Sequence, residues 1–314
     1  MVFFKLKTEE ETQIYQQELA KYAKLIGSAV NFTWHAWERT EAKSFEEKAH
    51  YPVVVLALTR HVCEELGAVG VLAAQGYAEA CKLPLRSTFE AMLGIQFILK
   101  ADSERRGIAY QVAHARRRIA EYKRLDLNEE TGRKLRADLK NDPLAAGLAW
   151  PADTKPMVAN LETLLASSDF APINAEWQRM RGTGKKKKVA WFALFGGPAD
   201  VEQLAKHLDR AAAYEFLYRD WSNAVHAGDC LRNFGKKTGG KPGEVAIKPV
   251  QHPEGLGSMI ALSLGICVLI SRLLLERWGT EELREAAQAD WIARFQPGLH
   301  AVINNGLTPV SSWR

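Results

Sequence analysis

Seventeen consecutive residues, Gly255 to Ser271 (GLGSMIALSLGICVLIS), carry no charge. A helix needs roughly 20 such residues to cross a bilayer. This stretch falls short, holds three glycines and runs straight into Arg272. We therefore read it as a helix buried at the centre of a folded protein, with no membrane contact expected. Surrounding such a helix takes several others, and a chain of 314 residues is long enough to supply them. The composition, 47% hydrophobic and 25% charged, is that of an ordinary globular protein and excludes disorder or a fibrous repeat.

The flanking sequence supplies the partners. Residues 8–40 read as one long helix: TEEETQ puts acids in its first turn, where the helix dipole favours them. Ile14, Leu19, Tyr22, Leu25, Ile26 and Val30 then recur near helical period. Residues 46–81 read as a second helix, with Gly67 and Gly70 as points of interruption. Pro84 is expected in the first turn of a third, where its missing N–H costs least. That helix, LPLRSTFEAMLGIQFILKA, is apolar nearly all round and so is expected to be central. A fourth, from about Glu104 to Leu125, has a strongly basic outer face.

Residues 126–200 differ. They carry Pro143, Pro151, Pro156, Pro172 and Pro198, with glycine turns at 182–184 and 196–197. Short helices are expected at 128–140 and 156–166, and VAWFALF (189–195) as a short strand or buried loop. Regular helix is expected again over 199–228, then a Gly/Lys/Pro-rich loop over 229–253. A core helix over 255–278 and a helical tail to about 294 complete the chain. The expected fold is all-α: a multi-helix bundle with a large, partly irregular insertion. In domains, an N-terminal helix (1–45) packs on a bundle core (46–278), whose insertion spans about 126–200, with a C-terminal helical tail (279–314).

Chemistry concentrates in YRDWSNAVH. At about 100° per residue, Arg219, Ser222, Asn223 and His226 share one helix face, with Phe216, Leu217, Trp221, Ala224 and Val225 opposite. Polar groups on a core-like helix need partners if buried. A lone histidine on a helix is commonly structural, Ser222 can bond the carbonyl one turn back, and Arg219 can face solvent. The functional reading rests on what the side chains can do. A histidine such as His226 is a side chain able to move protons near neutral pH, and the Arg219 guanidinium matches a phosphate. Together they suit attack of an RNA 2′-hydroxyl on its own phosphodiester, without a metal.

Arg86 and Glu90 stand one turn apart and can pair along their helix as an internal brace. The alternative is that Arg86 reaches the Arg219/His226 stripe as a second phosphate-binding cation. Lys185, Lys186, Lys187 and Lys188, with Lys236 and Lys237, form local basic clusters that can guide a phosphate backbone. They are not a P-loop: Gly182-Thr-Gly184-Lys185 lacks both the spacing and the terminal hydroxyl. Trp191 beside the run is expected in the core, with base stacking as the alternative.

No metal and no cofactor are expected. Cys63, Cys81, Cys230 and Cys267 show no CxxC spacing, no HExxH occurs, and no strand–GxGxxG–helix unit exists. The opening MVFFKLKTEEE turns acidic at once, unlike a secretory leader, so a cytoplasmic setting with free thiols is expected. The formal charge of +5 is too small on its own to indicate a nucleic-acid partner.

Two blocks, LPLRSTFEAMLGIQFILKAD (83–102) and YEFLYRDWSNAVHAGD (214–229), resemble an uncharacterised, mostly bacterial family of helical proteins. The R-S-x-x-E block and the Y-R-x-x-S-x-x-x-H block match that family's pattern in the same order, and the resemblance spans roughly residues 50–275. A more distant resemblance is to HEPN ribonucleases, helical bundles with an Arg, often a polar residue next, then four to six residues before a His. Arg219-Asp220 and His226, with six residues between Arg and His, are similar to that pattern. The resemblance implies Arg219 and His226 as a catalytic pair, Asp220 as its polar neighbour and a homodimer that brings two pairs together. This chain departs from a minimal HEPN domain in its length and its insertion.

The expected function is therefore a HEPN-like, metal-independent endoribonuclease, a toxin or anti-phage defence effector acting on RNA. Arg219 and His226 would be catalytic, and Asp220, Ser222, Asn223, Arg86 and Glu90 supporting. The alternative is a non-catalytic nucleotide-, nucleic-acid- or protein-binding helical module of a defence system, with a partner protein encoded in that system.

Overall fold

The computed structural model describes residues 9–145, 147, 150, 153–182, 189–225, 230–236, 245–247, 250–251, 255–298 and 300. The protein is all-α, with one three-residue strand pair. Four long helices open the chain: α1 (Glu9–Glu46), α2 (Tyr51–Ala74), α3 (Ala78–Lys100) and α4 (Ser103–Leu125). Three shorter ones come next, α5 (Glu130–Asp138), α6 (Lys155–Ala166) and α7 (Ala171–Arg181), then α8 (Val201–His207). After these, α9 (Ala211–Ala213) continues through a π turn (Tyr214–Tyr218) into α10 (Arg219–Val225). The strands β1 (Phe234–Lys236) and β2 (Val245–Ile247) pair antiparallel, and α11 (Leu256–Trp278) and α12 (Glu281–Arg294) complete the order. The chain divides into two compact units: Met1–Leu99 with Ala205–Arg314, and Lys100–Leu204.

In the first unit α1 packs against both α2 and α11. The buried positions of α1, Leu19, Ile26, Ala29, Thr33, Ala36, Trp37, Thr40 and Ser44, fall at helical period and so form one stripe. The small hydroxyls on that stripe are satisfied within it. Thr33 donates to the carbonyls of Ala29 and Cys267, at 3.1 and 3.2 Å, and Ser271 donates to the carbonyl of Cys267 at 2.8 Å. These buried polar groups therefore sit between α1 and α11 without an unmet bond. The α11 helix is long and apolar enough to cross a membrane by length and composition, but 56% of its most apolar window is buried inside the protein. The central helix expected over 255–278 is thus present and packed against α1.

A polar clasp joins the ends of α1, α2 and α11. Tyr51 donates to Glu47, Trp278 Nε1 donates to Glu47 at 2.9 Å, and Arg277 donates to Tyr51 and Glu47 at 2.7 and 3.1 Å. The Tyr51 and Trp278 rings stack, and Trp37 meets Trp278 edge-on. Burial alone would raise the Glu47 carboxyl, but the bonds from Tyr51, Trp278 and Arg277 outweigh it and hold it below its ordinary 4.5. A depressed carboxylate contributes stability above its unfolded pKa and loses it as pH falls through the folded one. We expect the melting temperature to drop as pH is lowered below about 4.5. Glu47→Gln is expected to lower it at neutral pH and flatten that acid limb, as calorimetry across pH can check.

The second unit has its own core. Ile108, Ala109, Val112, Ala115 and Ile119 of α4 pack with Leu165, Phe170 and Ile173 of α6, α7 and their junction, and with Leu194. Arg116 is drawn between Asn174 and Glu162, at 2.9 Å to each. At the end of α4, Asp126 accepts from the backbone and side chain of Asn128 and from Thr154.

Several boundaries differ from the sequence reading. The helix expected over 46–81 ends at Ala74, turns through 75–77 and restarts at Ala78. Pro84 therefore lies inside α3, where it removes one helical hydrogen bond, and is not in its first turn. VAWFALF is neither strand nor plain loop. Trp191–Gly196 is a 3-10 turn, with Trp191 packed on Tyr110 and Phe192. The helix α7 is an addition to the expected elements, its apolar residues being too few to advertise a period. The helix expected over 199–228 is broken at 208–210, where Asp209 takes a positive φ of 59°. Within the expected 229–253 loop lies the β1–β2 ribbon.

Candidate functional site

Three side chains on α3, one turn apart, reach the α9–α10 segment. Lys82 Nζ lies 3.1 Å from Asp220 and 2.8 Å from Glu79. Arg86 Nη1 donates to Ser222 Oγ at 3.1 Å, and its Nε donates to Glu90 Oε1 at 3.3 Å. Tyr218 Oη donates to the same Glu90 oxygen at 2.6 Å. Residues 82, 86 and 90 share a face because four residues nearly complete a helical turn. The Lys82 side chain is only 8% exposed, so its two carboxylate partners are what make burial of an ammonium tolerable.

The π turn explains how the second segment presents its residues. It contains one extra residue, which rotates the later positions by about 100° relative to a plain helix. Tyr218 and Trp221 are buried, whereas Phe216 is 81% exposed. The sequence reading sets Phe216 on the buried side with Trp221. Phe216 in fact stands three positions before Arg219 and five before Trp221, about 60° from the first and about 140° from the second at regular helical spacing, so it belongs to the exposed side with Arg219.

Aromatic contacts continue the network. The Arg86 guanidinium lies 4.9 Å from the Tyr218 ring centroid, Tyr218 stacks on Tyr214 at 5.1 Å, and Arg219 lies 5.7 Å from the Tyr214 centroid. Phe89 packs on Tyr218 at 5.6 Å. Arg219 also pairs with Glu215 at 3.1 Å, and its side chain is 56% exposed. Burial first, then the Glu90 carboxylate, pushes the Tyr218 phenol well above its ordinary range, so it stays a donor. Burial opposes the Arg86 charge, but Tyr218 and Glu90 outweigh it and hold the guanidinium ionised.

The structure thus brings together four of the residues read from sequence: Arg86, Glu90, Asp220 and Ser222. Arg219 pairs with Glu215 of its own segment and is linked to Arg86 through the two tyrosines. The Arg86–Glu90 pair exists, and Arg86 also bonds Ser222 on the segment of the stripe. His226, Lys185, Lys186, Lys187, Lys188 and Lys237 lie outside the described residues. Lys236 ends β1 and Asn223 lies in α10, but their side chains are likewise outside them.

Sequence reasoning missed Lys82 and Tyr218. Their signal was present: Lys82 extends Arg86 and Glu90 backwards by one turn, and Tyr218 stands one turn before Ser222. The part-buried thiol of Cys63 and the buried ones of Cys81 and Cys267 play no part here. Burial pushes Cys63 up to about 11 and Cys81 and Cys267 up to about 12, which leaves them protonated and inert. Among the described residues, no three His, Cys, Asp or Glu side chains gather as a metal site would require.

Nothing among curated proteins or solved structures matches the chain. A family model does, over residues 53–242, more than half of the sequence. That span contains both blocks, LPLRSTFEAMLGIQFILKAD and YEFLYRDWSNAVHAGD, joined across α3 and α10 by the bond from Arg86 to Ser222. The chain belongs to the family of unknown function DUF5677.

Proposed function

We propose that this protein is a metal-independent endoribonuclease in which Arg219 and His226 act on the RNA phosphodiester. The observation that carries the reading is the bonding of Arg86 to Ser222, beside the Lys82–Asp220 pair. It anchors from α3 the helix whose Arg219 remains more than half exposed. An exposed guanidinium on an anchored helix suits a phosphate. The spacing from Arg219-Asp220 to His226 resembles that of HEPN ribonucleases.

In the proposed reaction His226 takes the proton of the RNA 2′-hydroxyl. The 2′-oxygen attacks the adjacent phosphorus, and Arg219 stabilises the added charge on the phosphorane. The bond from phosphorus to the 5′-oxygen breaks as that oxygen takes a proton from water, giving a 2′,3′-cyclic phosphate and a 5′-hydroxyl, and the protonated His226 returns its proton to solvent. Arg219 would exchange Glu215 for the phosphate. By the same resemblance a homodimer would place two such pairs together, in a cytoplasmic toxin or anti-phage effector.

The direct test incubates the purified chain with total RNA in EDTA. Cleavage that falls at least about a hundredfold in His226→Ala is expected, the lower range for loss of a general base. Intact RNA, or cleavage undiminished in the variant, would overturn the reading.

A second reading is favoured by one observation: Arg219, Arg86 and Lys82 already hold carboxylate partners. A site neutralised in this way also suits a non-catalytic module for a nucleotide, nucleic acid or partner protein of a defence system. Salt-dependent RNA binding without turnover, in the same preparation, would select it.

A further inference from the structure

Outside Lys100–Leu204 the lysines and arginines equal the aspartates and glutamates in number, so the formal charge of +5 falls wholly within that unit. Within the unit, α4 carries seven Lys and Arg against two Glu. Its apolar face is spent on the core, which leaves the opposite face to the charges.

The α4 cations divide by partner. Arg116 is held between Glu162 and Asn174, Arg105 pairs with Asp102, and Arg118 pairs with Glu121 at 2.8 Å. Arg117 and Arg124 are exposed and form no ion pair among the described residues. They stand seven positions apart, two turns along one line of the helix, with exposed His114 on the same line. The His114 ring is held below its ordinary protonation range, first by partial burial and then by Arg117 and Arg118. Positive potential is therefore felt locally, against the single acid Glu121 on that line.

We propose that this exposed face of α4, with Arg117 and Arg124 as its anchoring cations, docks the phosphate backbone of RNA. The inference rests on the reading that the chain acts on RNA, and it assigns the binding step to a helix that the catalytic proposal does not use. Guanidinium groups fit phosphate oxygens through paired N–H donors, and such contacts position a strand without reading its sequence. A protein partner fits less well. The line His114, Arg117, Glu121, Arg124 offers no large apolar side chain, and protein interfaces are anchored by aromatic or aliphatic groups at their centre.

The experiment measures binding of the full chain to a fluorescent 2′-O-methyl RNA, which lacks the attacking hydroxyl, across a salt series. Poly-glutamate is the competing acidic polypeptide. We expect the double variant Arg117→Gln/Arg124→Gln to bind the single strand more weakly and its log–log salt slope to fall by about 1.4, roughly 0.7 for each phosphate no longer neutralised. Its melting temperature should hold, because neither guanidinium forms an ion pair among the described residues. An unchanged slope, no binding by the wild-type chain, or binding to poly-glutamate alone would overturn the proposal. Cleavage of ordinary RNA in EDTA, followed in parallel, separates the two ideas. RNA docking that maps to α4 without cleavage leaves the surface standing and removes the ribonuclease. Cleavage with an unchanged slope does the reverse.

Discussion

Arg86→Leu is expected to destabilise the protein by about 2–3 kcal/mol, the sum of what the guanidinium holds. It loses the bond to Ser222, the pair with Glu90 and the stacking over the Tyr218 ring. The side chain is 22% exposed, so its bonds are only partly screened, whereas Glu90 is 45% exposed and can turn to water once released. That asymmetry keeps the expected loss below the roughly 3–5 kcal/mol cost of breaking a fully buried pair. Urea denaturation followed by circular dichroism measures it. Glu90→Gln should cost less, about 1 kcal/mol, because the amide oxygen can still accept from Tyr218. If the helix that carries Arg219 is held by this tie, Arg86→Leu should also lower the cleavage rate at saturating RNA more than it weakens RNA binding. Equal stability in Arg86→Leu and wild type would contradict the network.

The second large effect is expected at Gly132, near the start of α5. A Cβ there would fall 1.9 Å from the backbone oxygen of Asp126 and 2.6 Å from its carbonyl carbon. Real Cβ atoms do not approach so closely, and backbone cannot move aside as a flexible side chain can. Gly132→Ala must therefore push α5 away from the turn at Asp126, where Asn128 and Thr154 also bond. We expect a loss of about 3 kcal/mol or more, at the high end for overpacking, with faster amide exchange across α4 to α6. Gly67→Ala is the control. Nothing lies within 4 Å of its Cβ, and alanine in place of a helical glycine should stabilise by about 0.5–1 kcal/mol. Similar melting temperatures for the two variants would contradict this packing.

The fold was legible where burial is one-sided or complete. The stripe of Leu19, Ile26 and Trp37 on α1 and the charge-free run in α11 mark helices whatever packs on them. Local exceptions to the helical rule escaped sequence reading. Pro84 inside α3, the break at Asp209 and the π turn at Tyr214–Tyr218 obey tertiary packing more than local propensity. The candidate site was half legible for the same reason. Arg86 with Glu90 lies on an unbroken helix, and counting by turns finds that pair. Phe216 was set on the wrong side, and the Tyr214–Tyr218 stack that joins Arg86 to Arg219, although spaced one turn apart, does not by itself reveal that it meets a cation from another helix. Lys82 was overlooked because a lysine on an apolar helix reads as solvated, whereas here Glu79 and Asp220 allow it to be buried.

End-group chemistry of the RNA products tests the central claim most directly. RNA cleaved in EDTA by the wild-type chain should carry 2′,3′-cyclic phosphate and 5′-hydroxyl ends, formed at least about a hundredfold more slowly by Arg219→Ala and by His226→Ala. Products bearing 3′-hydroxyl and 5′-phosphate ends, or cleavage undiminished by either substitution, would contradict the account.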